Sequence, residues 1–261
     1  MKKALAFLLF VLAAAAPVSG DDGVSINSSR EQFESASRVF EDYGVEGLDA
    51  LMTSPLDSEL NQDFLALVKA GLRNIPREYR NRFQNAGFRI NVVTNISKVM
   101  SDSEIKHHPR GYPEGATFAN LDAYCNYKTK QVVIIQTEQT QKSLPDLSVC
   151  HEFGHAFDVI IAPKLSRFEA AAQNEGAWPF FSHTPKFKQA YQMDLSALPE
   201  SSRAELAYYL QPDRAGQEEL FAEMFPLLYC KQAAPGSRFE LMRNSFPNVL
   251  REMQSALNCY D

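Results

Sequence analysis

Histidine is scarce in this chain of 261 residues, which has five of them, one tryptophan and four cysteines. Positive charge is in deficit as well: 26 lysines and arginines against 32 aspartates and glutamates leave a formal charge of −6, and no basic cluster stands out. Nucleic acid and anionic membrane surfaces gain little long-range attraction from such a chain and are not expected as partners. No two cysteines have the CxxC spacing of a structural zinc knuckle, and no segment repeats at solenoid length. Long apolar runs are missing too. The one extended run, residues 4–16, is shorter than the ~20 residues that cross a bilayer.

That run has a different reading. Lys2 and Lys3 precede it, and Pro17, Val18, Ser19 and Gly20 follow before Asp21 and Asp22. A charged start, a short apolar stretch and small residues predict a signal peptide over residues 1–20, cut after Gly20. An uncleaved signal anchor is the alternative. No cysteine follows the run, so a lipid anchor is not indicated, and the mature chain is expected to be exported, either periplasmic or secreted. Loss of the two lysines leaves it more acidic still. Export permits disulfides among Cys125, Cys150, Cys230 and Cys259. Cys125 precedes Cys150 from a strand-like region, and Cys230 and Cys259 share the C-terminal helical part. The expected bridges are therefore Cys125 with Cys150 and Cys230 with Cys259, each adding ~2–4 kcal/mol, with free buried thiols as the alternative.

The scarce histidines matter because of where two of them stand. Residues 151–158 read HEFGHAFD, inside a proline-free helical pattern over residues 147–161. On a helix, His151 and His155 share one face with Cβ atoms ~5–6 Å apart, so both imidazoles can reach one ion. Glu152 projects beside that face without being a ligand, where a general base must sit to take a proton from a water at the ion. A buried amphipathic helix with two satisfied histidines is the plainer alternative.

A catalytic zinc site usually takes three protein ligands, so a third has to come from elsewhere. The extension HExxHxxGxxH is absent, and Asp158 stands three residues after His155. Downstream, QEELFAEMFPLL over residues 217–228 puts Leu220, Phe221, Met224 and Phe225 on an apolar face and Glu219 and Glu223 one turn apart on another. A ligand and a carboxylate that orients a ligating histidine would explain that pair, and a solvated acidic face would explain it equally simply.

HEFGHAFD followed by EELFAEMF resembles the catalytic domain of anthrax lethal factor and its relatives, including the clostridial Pro-Pro endopeptidases, over residues 88–228. The family pattern is HExGHxxD and then E(F/L)FAExF. The resemblance implies a zincin-type metalloendopeptidase with one zinc per chain. His151, His155 and Glu219 would be its ligands, Glu152 the base, and Asp158 and Glu223 the carboxylates behind the ligands. It also implies a tyrosine a few residues before the ligand glutamate that stabilises the tetrahedral intermediate. Pro212 occupies the nearest equivalent position, so this role is open between Tyr208 and Tyr209. The implied substrate is a peptide or protein bound as an extended strand along a sheet edge. A non-catalytic zinc-containing binding or toxin-like protein is the rival, and a retained Glu152 argues against it.

The remaining chain predicts an α+β fold with mostly helical N-terminal and C-terminal parts, in a monomer, and the resemblance implies a zincin-like arrangement with a small mixed sheet over the active-site helix. Residues 29–83 have helical faces at Phe33, Ala36, Val39, Phe40 and Tyr43 and at Phe64, Leu65, Leu67, Val68 and Leu72. A helical region over residues 21–85 and a catalytic domain over residues 86–261 follow as expected divisions, the first being a subdomain or a propeptide. Residues 88–96 and 131–136 read as strands, with an extended segment over residues 116–127 and a turn at residues 127–130. His107 and His108 fall in a loop rich in proline and glycine, where exposure is expected. After the helix come the aromatics Trp178, Phe180 and Phe181, His183 as a loop or cleft-rim residue, and a helix through Tyr191 capped by Ser182 or Thr184. Residues 238–257 read as a helix bent or interrupted at Pro247.

Overall fold

Asparagine in front of an amphipathic run starts the first long helix of the N-terminal region. Asn61 Oδ1 accepts the backbone N–H groups of Asp63 (2.7 Å) and Phe64 (3.4 Å), which caps helix α1, Gln62–Asn74. Phe64, Leu65, Val68 and Leu72 are buried along α1, whereas Leu67, expected on the same face, is 42 % exposed. Pro76 then introduces α2, Arg77–Asn85, which buries Tyr79 and Phe83. The computed structural model describes residues 47–53, 57–109, 112, 114–138, 140, 145–165, 180–211, 214–229 and 237–258. The expected signal peptide, the helical face at residues 33–43, Trp178, Cys230 and Cys259 lie outside the described residues.

Three short strands follow. β1, Arg89–Val93, pairs in parallel with β3, Gln131–Ile135, and β2, Ala123–Asn126, pairs antiparallel with β3, so the sheet order is β1-β3-β2. The β2-β3 hairpin closes where expected. Asn126 Oδ1 accepts the N–H groups of Lys128 (3.1 Å) and Thr129 (3.2 Å), and Lys130 takes φ 53°. Alternation does the sorting: Ile90, Val92, Val132 and Ile134 enter the main core, while Val93, Val133 and Ile135 join Ile96 and Leu121 in a smaller cluster on the other face. Phe118–Asn120, within the segment expected to be extended, is instead a turn of 3-10 helix.

The centre of the molecule is α3, Pro145–Leu165, which contains HEFGH. Val149, Cys150, Phe153, Ala156, Phe157 and Ile161 are all buried, so it is clad on several sides rather than lying on the surface. α1 packs on it, as do β2 and α5, Ala215–Tyr229. α4, Pro185–Ala197, lies before α5, and Thr184 rather than Ser182 caps it by accepting the Phe187 N–H at 3.3 Å. The C-terminal pattern is two helices, α6, Ser237–Ser245, and α7, Pro247–Asn258. Pro247 opens α7, and Asp194 of α4 accepts the N–H groups of Asn248 (3.1 Å) and Val249 (2.9 Å), capping it from another helix. Residues from Leu48 to Leu257 share the main core, on both sides of position 85. Among the described residues, no helix is long and apolar enough to cross a membrane.

One expected bridge has to be corrected. Cys125 and Cys150 are both free. The Cys150 thiol points to α1, 3.7 Å from the Gly71 carbonyl. Cys125 lies on β2, where burial and the charges of Glu152 and Asp158 hold its thiol well above its ordinary pKa. Positions 150 and 152 leave the helix in widely different directions, so β2 meets the Glu152 side and not Cys150.

Candidate metal centre

The spacing on α3 delivers what it promised. The imidazoles of His151 and His155 stand next to one another, ring centroids 4.8 Å apart and nearly perpendicular. α5 brings up Glu219 from the other side: its Oε2 lies 3.3 Å from His151 Nε2 and 3.4 Å from His155 Nε2. One ligand atom from each of these three residues lies within 4.8 Å of the other two. Glu223, one turn along α5, takes the far nitrogen of His151, with Nδ1 and Oε2 3.2 Å apart. A carboxylate in that place fixes which imidazole nitrogen faces the centre.

Two helices can present these groups so closely because one residue has no side chain. A Cβ built on Gly154, between the two histidines, would lie 2.7 Å from the carbonyl oxygen of Ala222 and 2.9 Å from its Cα. Ala222 itself stands between Glu219 and Glu223. The closest approach of α3 and α5 therefore falls at the middle of the site, and the backbone there touches directly.

The two tyrosines left open by the sequence are placed differently, and Tyr208 is the one at the centre. Its hydroxyl donates to Glu219 Oε2 at 2.9 Å. Tyr209 turns its ring into the core, and its carbonyl accepts the Tyr191 hydroxyl at 2.6 Å. A Cβ on Gly216 would lie 2.5 Å from that same carbonyl, so the first turn of α5 holds the Tyr208–Tyr209 pair in this orientation. Of the two tyrosines, Tyr208 is therefore the one that meets Glu219.

Asp158 bonds a group from another segment. Among the described residues its carboxylate meets no histidine: it accepts the Ser182 N–H (2.7 Å) and the Ser182 hydroxyl (2.6 Å), while His155 Nδ1 is buried without a partner. Burial pushes the Asp158 carboxyl up to about 7 against the pull of those two bonds. His183 is partly buried, and its Nε2 lies 2.8 Å from Glu218 Oε1. His107 and His108 are exposed, as expected, and take no part.

The charges are tightly interlocked. Burial raises the Glu152 carboxyl above its ordinary value, although His155 and His151 pull it back. Burial acts on Glu219 in the same direction, but there the two histidines win and hold the carboxyl well below its usual range. Burial disfavours a charged His151, yet Glu219 and Glu223 keep its pKa high. Two imidazole nitrogens and one carboxylate oxygen drawn to one point match the donor set of a zinc ion with an open position. The residues fit that metal.

Two further tyrosines belong to the surroundings and had no signal in the sequence. Tyr112, in the loop before β2, is 36 % exposed, but the protein around its hydroxyl end excludes water from it and, with the charges of Glu152 and Glu219, raises its pKa. Tyr127, just after β2, packs edge-on against Phe180 at 4.9 Å and lies 6.5 Å from the His155 ring.

A family model described as anthrax toxin lethal factor, N- and C-terminal domain, matches residues 41–245. The chain belongs to the anthrax toxin lethal factor family. The match reaches beyond residues 88–228 at both ends and takes in α1 and α2. Comparison with curated proteins gives no match. Among solved structures the chain is similar to the Pro-Pro endopeptidase PPEP-2 from Paenibacillus alvei, at 21 % identity and a TM-score of 0.49, covering 81 % of this chain and 99 % of that one. For a member of the lethal factor family, HEFGH on α3 and EELFAE on α5 are the two segments that meet at the centre described above.

Proposed function

We propose that this chain is an exported, zinc-dependent endopeptidase in which His151, His155 and Glu219 hold the metal and Glu152 is the general base. The observation that carries the reading is the convergence of those three ligand atoms beside a buried carboxylate that ligates nothing. Family membership supports peptide hydrolysis, and the leader pattern of residues 1–20 supports export, to the periplasm or beyond.

Zinc held there would supply Lewis acidity, polarising the scissile carbonyl and making a water nucleophilic at neutral pH. The protein's own groups do the rest. Glu152, its carboxyl raised by burial, is suited to accept the proton that the water gives up and to hand it to the leaving amine. Tyr208 is within reach of Glu219 and its pKa is held well above the ordinary value, so it keeps its proton and can donate to the oxygen that becomes negative. Glu223 keeps His151 turned with Nε2 toward the centre. β2 pairs with β3 on one side only among the described strands, and its outer edge can add an extended peptide by backbone hydrogen bonds.

Cleavage of a mixed peptide library, mapped by mass spectrometry, tests this reading, with Tyr208→Phe and Tyr209→Phe assayed beside the parent. Removing one donor to a developing oxyanion costs on the order of 10²–10³ in rate, so Tyr208→Phe should lose about that much while Tyr209→Phe stays near the parent. No cleavage by the zinc-loaded parent would favour the binding protein over the enzyme.

A further inference from the structure

A single three-residue turn touches both helices that carry the metal ligands. The turn Phe181–His183 meets α3 through Ser182, whose N–H and hydroxyl both donate to Asp158, at 2.7 and 2.6 Å. It meets α5 through His183, whose Nε2 lies 2.8 Å from the buried carboxylate of Glu218, and through the ring of Phe181, 5.8 Å from that of Phe221. Asp158 is one helical turn beyond His155, and Glu218 is the immediate neighbour of Glu219. Ser182, Asp158 and Glu218 are all buried, so these bonds are shielded from bulk water, where losing a partner costs more than at the surface. Thr184, the next residue, is fixed in turn as the cap of α4.

The consequence is geometric. α3 and α5 touch directly at Gly154 and Ala222 and pack further through Phe153 and Phe157 against Phe225, an apolar contact that sets their spacing without a directional bond. A polar attachment adds directional bonds to that packing, and the Phe181–His183 turn makes one to each helix. We infer that this turn clasps α3 to α5 and sets the position of His155 relative to Glu219, with His183 as a positioning residue of the metal centre; the inference rests on the zinc reading given above. His183 acts through Glu218 on Glu219 and Ser182 acts through Asp158 on His155. Neither touches the metal or the substrate. This use of Asp158 and Glu218 also accounts for two buried carboxylates that the peptidase reaction does not need.

Zinc affinity measured by chelator competition, and the visible spectrum of the cobalt-substituted protein, test the inference without reference to catalysis. His183→Ala removes the bond to Glu218; His183→Gln can return an amide donor close to where Nε2 stands. Groups behind metal ligands typically change metal affinity by about 10–100-fold when removed, so His183→Ala should lose roughly that much and its cobalt spectrum should shift. His183→Gln should recover most of the affinity and the parental spectrum. A merely structural turn would lower the melting temperature of the metal-free protein and leave both metal readouts unchanged, and that result overturns the inference. Should His183→Ala fail to fold, Ser182→Ala decides the matter, since it removes only one hydroxyl and keeps the backbone bond to Asp158. It should weaken zinc binding severalfold, and parental affinity would overturn the clasp. A parent protein that takes up no zinc at all refutes the metal reading itself, which is a separate outcome.

Discussion

Glu152→Gln is expected to keep its zinc and its melting temperature while peptide hydrolysis falls to about a per cent of the parental rate or less. Glutamine is nearly isosteric with glutamate but accepts no proton at neutral pH, and general acid–base catalysis is typically worth ~10²–10⁴ in rate. Glu152 is buried, so a neutral amide in its place relieves the cost of burying charge and gives no reason for instability. His151→Ala should behave differently. It removes a group that faces Glu219 and Glu223 together, so metal content, stability and activity should fall in parallel. Zinc content, melting temperature and peptide cleavage measured for both variants separate a catalytic role from a structural one. Equal cleavage by Glu152→Gln and parent, with zinc in both, would remove Glu152 from the mechanism.

Gly154→Ala is the second large effect, and it comes from a single methyl group. The added Cβ would sit 2.7 Å from the Ala222 carbonyl oxygen, 2.9 Å from the Ala222 Cα and 3.0 Å from the Phe225 Cβ. Two of these three neighbours are backbone, which cannot swing aside as a flexible side chain would, so the helices have to move apart. Overpacking of this kind costs about 1–3 kcal/mol. The displacement falls between His151 and His155 on one helix and between Glu219 and Glu223 on the other, so zinc affinity should drop together with stability. Thermal melts of the metal-free and zinc-loaded protein would show both losses at once: a lower starting temperature and a smaller gain on adding zinc. A variant that melts like the parent and gains as much from zinc would mean that the helices are not held by this contact.

What could be read from the sequence follows the range of the interactions involved. His151, Glu152 and His155 were legible because a helix fixes their relation within one turn, and the β2-β3 hairpin because Asn126 and its turn act locally. Glu219 stands on another helix, so its pairing with the histidines depends on tertiary packing, and the sequence yielded it through the family resemblance. Tyr208 and Tyr209 could not be told apart because the choice is made by Gly216, which nests against the Tyr209 carbonyl. The Cys125–Cys150 bridge failed on direction. Proximity in the chain suggested it, but Cys150 faces α1 while Cys125 faces the Glu152 side of the helix. Asp158 was placed behind a ligand by the family resemblance, and its partner here, Ser182, comes from a segment with no pattern to announce it. The His183–Glu218 pair was missed for the same reason.

Zinc titration into chelator-stripped protein, with peptide cleavage and elemental content followed together, tests the central claim most directly. The stripped protein should be inactive, and activity should rise with added zinc to a plateau at about one ion per chain, as a single site with three protein ligands requires. Cleavage that persists in fully stripped protein, or a protein that binds one zinc and cleaves nothing, would contradict it.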